Sequence, residues 1–217
     1  NELNMKPQLV GFKNGVYDLD VGQFRDGIPD DMISLSTKIN FKHYNNTDEI
    51  YIKCKDVLNK ILCDEDVREY ILSYIASCYY GYREDEIFTI WTGTGANGKT
   101  ILQNMIEKAF GNYYKPLSAK SLTSSRVEAG KPDPELFGLK GARVAFFSEP
   151  DDTKTDSINS GYIKQLTGGE SISTRTLHKE NITFKPNAAL FLACNDIPRM
   201  TSTDGGTWRR ISVVPFE

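Results

Sequence analysis

The sequence predicts an α/β protein: a mainly parallel sheet flanked by helices, preceded by a small region made of a hairpin and helices. Three observations carry this reading. From residue 86 onward, the short apolar runs "EIFTIWT", "ARVAFFSEP" and "NAALFLACN" are separated by longer stretches, one of them strongly helical. Strands spaced by helices assemble into parallel sheets. The first run ends in the loop "GTGANGKT", which opens a helix-like segment. Before residue 86 there is a period-two segment followed by two stretches of helical periodicity. The chain is therefore read as residues 1–85 and residues 86–217.

Residues 8–27 alternate apolar and polar positions around "DVG" and predict a β-hairpin with a glycine turn. Residues 28–46 carry Pro29 and "YNN" and read as a loop. Thr47 is placed to cap a helix with Ile50, Cys54, Leu58, Ile61 and Leu62 on one face. A second helix buries Val67, Tyr70, Ile71, Tyr74, Ile75 and Cys78, with Gly81 at its C-cap. "EIFTIWT" is a strand, and "KTILQNMIEKAF" is a helix stopped by Gly111. "SISTRTL" and "ITFKP" alternate around "HKEN", a second hairpin with His178 and Lys179 at its tip and Lys185 on the same element. "DGGTWRR" then leads into the apolar strand "ISVVPF".

Composition narrows the function classes. The chain has 217 residues, 39% hydrophobic and 25% charged, which predicts a folded soluble protein. No apolar run is long enough to span a bilayer, no apolar signal segment opens the chain, and no membrane partner is expected. The formal charge is −3, so any nucleic-acid surface has to be local. Cys54, Cys63, Cys78 and Cys194 do not pair at zinc-ligand spacing and read as buried, reduced thiols of an intracellular protein. A first residue Asn1 and a strand-like end, "VVPFE", suggest a piece of a longer polypeptide.

The chemistry starts at Gly93, Thr94, Gly95, Ala96, Asn97, Gly98, Lys99 and Thr100. Glycines let several N–H groups turn toward one anion, and the helix that follows adds its positive end. Lys99 suits the β- and γ-phosphates of ATP, and the Thr100 hydroxyl suits Mg²⁺. Hydrolysis also needs an acid at a neighbouring strand end. Glu149, after "VAFF", is assigned to water activation and to metal binding through water; Ser148, where many such sites carry a second acid, is a weaker metal-shell candidate. Asn195 ends the third apolar strand, where its amide either contacts the γ-phosphate or attacking water or simply caps a turn. Arg209 and Arg210 are either surface charges or groups that stabilise phosphoryl-transfer charge in a neighbour.

The order of these motifs resembles the superfamily 3 helicases of DNA viruses and phages, in particular the poxvirus-type primase-helicase branch. The likeness rests on "GTGANGKT", Glu149, "IKQLTGGESISTR", the second hairpin, "CNDIP" and "WRR", over residues 86–217. It implies an AAA+-like P-loop motor that forms a homohexameric ring around single-stranded or forked DNA. It implies Lys99 and Thr100 as Walker A, Glu149 as Walker B and Asn195 as sensor. The hairpin of His178, Lys179 and Lys185 would face the channel, and Arg209 or Arg210 would reach the next subunit's site. Alternation along the final strand sends those two arginines to opposite sides, with Arg209 favoured as the one that reaches across. A primase domain on the same full-length chain, and work at sites of viral or phage DNA replication, belong to the same expectation. Two other functions stay open: a ring ATPase that loads or packages DNA without unwinding it, and a nucleotide-gated DNA-binding ring that does not hydrolyse.

Overall fold

The computed structural model of the protein describes residues 3–123, 133–149, 157–175 and 181–217. An antiparallel meander opens it, with β1 (Leu9–Phe12), β2 (Gly15–Asp18) and β3 (Gln23–Arg25). The sequence predicts one hairpin here. A second turn exists because Phe12 pairs with Gly15 across two residues, and Gly15 takes φ +154° where a Cβ would strike the Arg25 carbonyl. Helices α1 (Glu49–Ile61) and α2 (Glu65–Ser77) follow.

The rest runs β4 (Phe88–Thr92), α3 (Lys99–Phe110), β5 (Tyr114–Leu117), α4 (Lys120–Thr123), α5 (Pro134–Gly138) and β6 (Val144–Phe147). Then come β7 (Ser157–Ile158), α6 (Ser160–Thr167), β8 (Ile172–Thr174), β9 (Ile182–Phe184), β10 (Ala189–Ala193), β11 (Arg199–Met200), α7 (Gly205–Trp208) and β12 (Ile211–Pro215). The main sheet has the order β12-β4-β10-β6-β5, and each neighbouring pair in it is parallel. The strands β8 and β9 pair antiparallel, as the second hairpin requires; its tip, with His178 and Lys179, lies outside the described residues.

Both faces of the sheet are buried, which is why its strands read as continuous apolar runs. On one face Trp91, Phe146 and Phe191 pack with Leu102, Ile106 and Phe110 of α3. These three are spaced by four residues and fall on one side of the helix. Ile61, Leu62, Ile71, Tyr74 and Val10 from the first 85 residues join the same cluster. On the other face Phe88, Ile90, Phe147, Leu190 and Leu192 meet Leu122, Leu139, Ile163 and Leu166. Successive strand residues alternate between the two clusters, the period-two signature of a strand.

Several expected details change. Helix α1 starts after Asp48, not Thr47. Ile50 is 77% exposed and Cys54 is exposed, so only the C-terminal turn of α1 is held by the core. Cys63 is exposed too, whereas Cys78 and Cys194 are buried. Tyr70 stays 45% exposed, and α2 ends at Cys78, ahead of Gly81. Gly81 is instead a close-approach site: a Cβ there would lie 3.3 Å from Pro7 and 3.2 Å from Arg143 Nε. Gly111 does stop α3, at φ +55°.

Candidate functional site

All five strands of the main sheet point the same way, so their C-terminal ends share one edge. Three of the candidate elements therefore meet there. The glycine loop leaves β4, Glu149 follows β6, and Asn195 follows β10, which lies between the other two strands. A cleft of about 500 Å³ is lined by Gly95–Thr100, Ser148, Glu149 and Asn195. The register explains the convergence: Phe191 pairs with both Thr89 and Phe146, so the three strands end level.

The loop is built from backbone shapes that few side chains tolerate. Gly93 has φ +148°, Ala96 +69° and Gly98 +89°. A Cβ on Gly93 would lie 2.1 Å from both Asn97 Nδ2 and the Phe216 carbonyl. One on Gly98 would lie 2.7 Å from Ile61 Cγ1, so the end of α1 presses on the loop. Asn97 Nδ2 donates to the Phe216 carbonyl at 2.7 Å, tying the loop to the end of β12. The Lys99 ammonium donates to the Gly93 carbonyl at 2.5 Å and to Asn97 Oδ1 at 3.0 Å, which arches it over the loop. Gly98 is the N-cap of α3 and supplies no side chain to its first turn. The N–H groups of Lys99, Thr100 and Ile101 have no intrahelical acceptor by helix geometry, and they point with the positive end of the helix.

Across the cleft, Glu149 Oε1 accepts from the Asn195 backbone N–H at 2.9 Å. That bond fixes the carboxylate at the mouth of the two strands, in the lining of the cleft. Ser148 Oγ accepts from the Ala119 N–H at 3.1 Å, so one of its lone pairs serves the fold. Burial pushes the neighbouring Cys194 thiol up to about 12, which keeps it protonated and removes it as a nucleophile. Gln103 was not singled out from the sequence; it lines the cleft and donates to the Tyr114 hydroxyl at 2.9 Å. Its place one helical turn after Lys99 was the available signal. Among the described residues, no group of three or more His, Cys, Asp or Glu side chains comes together. A divalent ion here would find the Thr100 hydroxyl and the Glu149 carboxylate in the lining of the cleft, hard oxygen donors of the kind Mg²⁺ takes.

The arginines sit elsewhere. The Arg210 carbonyl accepts from the Phe88 N–H at the start of β4, the opposite edge of the sheet. Five strand residues at about 3.3 Å each separate them from the glycine loop by roughly 16 Å. The expectation of opposite sides fails, because Arg209 closes helix α7 and is not part of the strand. Both guanidiniums reach Glu86 Oε2 at 2.7 Å. They differ in burial: the Arg209 side chain is 64% exposed and that of Arg210 9%, with Arg210 Nη1 also donating to the Gly206 carbonyl. Glu86 was missed by sequence reasoning, since an acid before an apolar strand gives no signal. Lys185 lies at the base of the second hairpin, its ammonium 5.6 Å from the Tyr82 ring centre.

A family model described as "Family of unknown function (DUF5906)" matches residues 91–210. The chain belongs to this family. A second model, "D5 N terminal like", matches residues 1–64, ahead of the DUF5906 stretch. The DUF5906 chain is 44% identical over 208 residues to "Putative helicase L207/L206" of Acanthamoeba polyphaga mimivirus, covering 96% of this chain and 22% of that one. It is 34% identical to "Putative helicase 121R" of Invertebrate iridescent virus 3, over 99% of this chain and 23% of that one. With "Putative primase C962R" of African swine fever virus (isolate Tick/Malawi/Lil 20-1/1983) it shares 26% identity, over 96% and 22%. The chain thus spans less than a quarter of the length of these relatives. The resemblance to viral helicases of the primase-helicase branch holds in these names. Among solved structures, the NrS-1 C-terminal region has the same fold, with TM-score 0.57 and 17% identity over 75% of this chain and 36% of that one. JCV helicase aligns with TM-score 0.50 and 14% identity, over 74% and 44%.

Proposed function

We propose that this chain is the ATP-hydrolysing motor of a viral DNA helicase of the primase-helicase type, with an AAA+-like P-loop core. The observation that carries it is the convergence of the glycine loop, Glu149 and Asn195 on one cleft at the strand ends. The cradle fits a phosphate chain. Gly95 has open space around it, Gly98 leaves the first turn of α3 uncapped by any side chain, and Lys99 is held over the loop. ATP with Mg²⁺ supplies the phosphoryl group and the free energy. The loop N–H groups and Lys99 hold the phosphate oxygens, and the Thr100 hydroxyl holds the metal. Glu149 orients a water and accepts its proton, its carboxylate aimed by the Asn195 N–H. The Asn195 amide would contact the γ-phosphate or the attacking water.

In this reading six copies form a ring on single-stranded or forked DNA. Arg209 completes the neighbouring site, and the hairpin of His178, Lys179 and Lys185 touches the strand. Its own glycine loop is on the far edge of the sheet, so Arg209 serves phosphate chemistry only across a subunit interface. Residues 1–85 precede the motor as a helical support, a primase domain belongs to the full-length protein, and the work is done where viral DNA is replicated. The test is phosphate release with single-stranded DNA, followed by unwinding of a forked duplex. The motor reading predicts both activities, and Lys99→Ala should remove both. Hydrolysis without unwinding would mean a loading or packaging ATPase; nucleotide binding without hydrolysis would mean a gated DNA-binding ring.

A further inference from the structure

At the opposite edge of the sheet from the nucleotide cleft lies a second cavity, of about 590 Å³. It forms where the segment before β1 meets the loops that enter β4, β6 and β10 and the base of β9. Its lining carries Lys6, Lys140, Arg143 and Lys185 and no Asp or Glu, in a chain whose net charge is −3. Aromatic surface joins the charge. Tyr82 is 48% exposed, and Phe184 lines the wall beside it. The Tyr82 hydroxyl donates to Glu84 Oε1 at 3.1 Å, which fixes the ring from its edge. Lys185 sits near one face of the ring.

The cations divide into two kinds. Arg143 is 5% exposed, and its guanidinium is consumed by the carbonyls of Pro7, Leu9 and Tyr79. It contributes positive potential but few donors. Lys6 is tied by the Asp30 carbonyl at 2.7 Å. Lys140 and Lys185 are exposed, so their ammonium groups are the ones a ligand can reach. A flat π-face beside exposed cations, in a cavity whose lining holds no Asp or Glu and with Glu84 outside it engaged by the Tyr82 hydroxyl, suits one nucleotide of a single strand: the base on the ring, the phosphates on the lysines. The volume is in the range of small-ligand sites.

We infer that this cavity is a single-stranded DNA subsite, in which Tyr82 stacks a base while Lys140 and Lys185 hold the flanking phosphates. The inference rests on the reading that the chain acts on DNA, and it extends the DNA path from the hairpin tip to the hairpin base. It also gives a mildly acidic chain a local basic surface that a single subunit already possesses.

The experiment is fluorescence anisotropy with a labelled twenty-nucleotide oligo-dT and with an abasic strand of the same length, each across a salt series. Lys140→Ala/Lys185→Ala should weaken both probes and reduce the salt slope by about 1.4, at roughly 0.7 per single-strand phosphate contact. Tyr82→Leu should weaken oligo-dT by roughly five- to a hundredfold and leave the abasic strand almost unchanged. Wild type that binds oligo-dT, with both variants equal to it, would overturn the subsite and leave the helicase reading standing. Wild type that binds neither probe would overturn both. Equal loss on the two probes in Tyr82→Leu would mean that the ring only supports the fold, and would overturn the stacking role.

Discussion

An Arg210→Ala substitution deletes a guanidinium whose side chain is only 9% exposed and which bridges Glu86 and the Gly206 carbonyl. Breaking a buried, hydrogen-bonded ion pair costs about 3–5 kcal/mol. Glu86 is 37% exposed and keeps Arg209, so the cost falls below that range, at about 2–3 kcal/mol. For a chain of this size that corresponds to a fall in Tm of roughly 4–12 °C. Arg209→Ala removes a partner that is 64% exposed. Surface pairs of that kind are worth about 0–1 kcal/mol, so its Tm should drop by about 4 °C at most. The order reverses in ATP turnover. Arg209→Ala should lose on the order of a thousandfold while binding nucleotide normally, because an arginine supplied in trans acts on transition-state charge. Melting curves and single-turnover hydrolysis read the two effects separately. Mixing Arg209→Ala with Lys99→Ala should restore part of the activity, since some interfaces then join an intact loop to an intact arginine. Equal destabilisation by the two arginine variants, or no recovery in mixed rings that do form, would refute the division into one buried and one largely exposed guanidinium.

Glu149→Gln should still bind nucleotide but hydrolyse it at least a hundredfold more slowly, because an amide accepts no proton; normal turnover would move that role to another acid. Gly98→Ala should cost about 1–2 kcal/mol for its φ of +89° alone, plus about 1–3 for the clash with Ile61. Measured against Ile61→Ala alone, which lacks both Cγ atoms that a Gly98 Cβ would strike, Gly98→Ala should cost only the first part, and no cost there in denaturant melts would show that the backbone angle is unimportant. Arg25 holds the buried Asp31 carboxyl down to about 2 by hydrogen bonding, below its unfolded value of about 3.9. That stabilisation is complete above about pH 4 and is lost as pH falls through about 2, so Arg25→Met should flatten the acid limb of Tm against pH in that window. An unchanged acid limb would assign it to other carboxylates.

How much could be read from the sequence depended on how each residue's role is encoded. Strands buried on both faces announce themselves as apolar runs, so β4, β6, β10 and β12 were legible, and with them the points where the loop, Glu149 and Asn195 leave the sheet. Strand β5 was not: "YKPL" carries Pro116, which reads as a breaker, and it survives because β5 lies at the sheet edge. The apolar periodicity of α1 overstates its buried face. Periodicity marks Ile50 and Cys54 as well as Ile61, but only the last turn reaches the core beneath Gly98. The convergence of Arg209 and Arg210 on Glu86 was beyond reach. It depends on α7 closing one residue before Arg210, and 123 residues of chain separate the acid from the first arginine.

The parallel sheet itself carries the argument for assembly. Every strand places its C-terminal end on the edge that holds the glycine loop, Glu149 and Asn195, and its N-terminal end on the edge that holds Arg209, Arg210, Lys140 and Arg143. One edge offers the glycine loop and the Glu149 carboxylate. The other offers cations, of which Arg210 and Arg143 are consumed by the fold, while Arg209 is largely exposed and Lys140 exposed. A phosphoryl-transfer site that needs both sets cannot close within one subunit, because roughly 16 Å of strand lies between them. Two copies placed edge to edge remove that distance. This polarity supports the ring of the proposed function. An interface that did not bring the arginine edge of one subunit to the loop edge of the next would leave Arg209 without phosphate chemistry to serve.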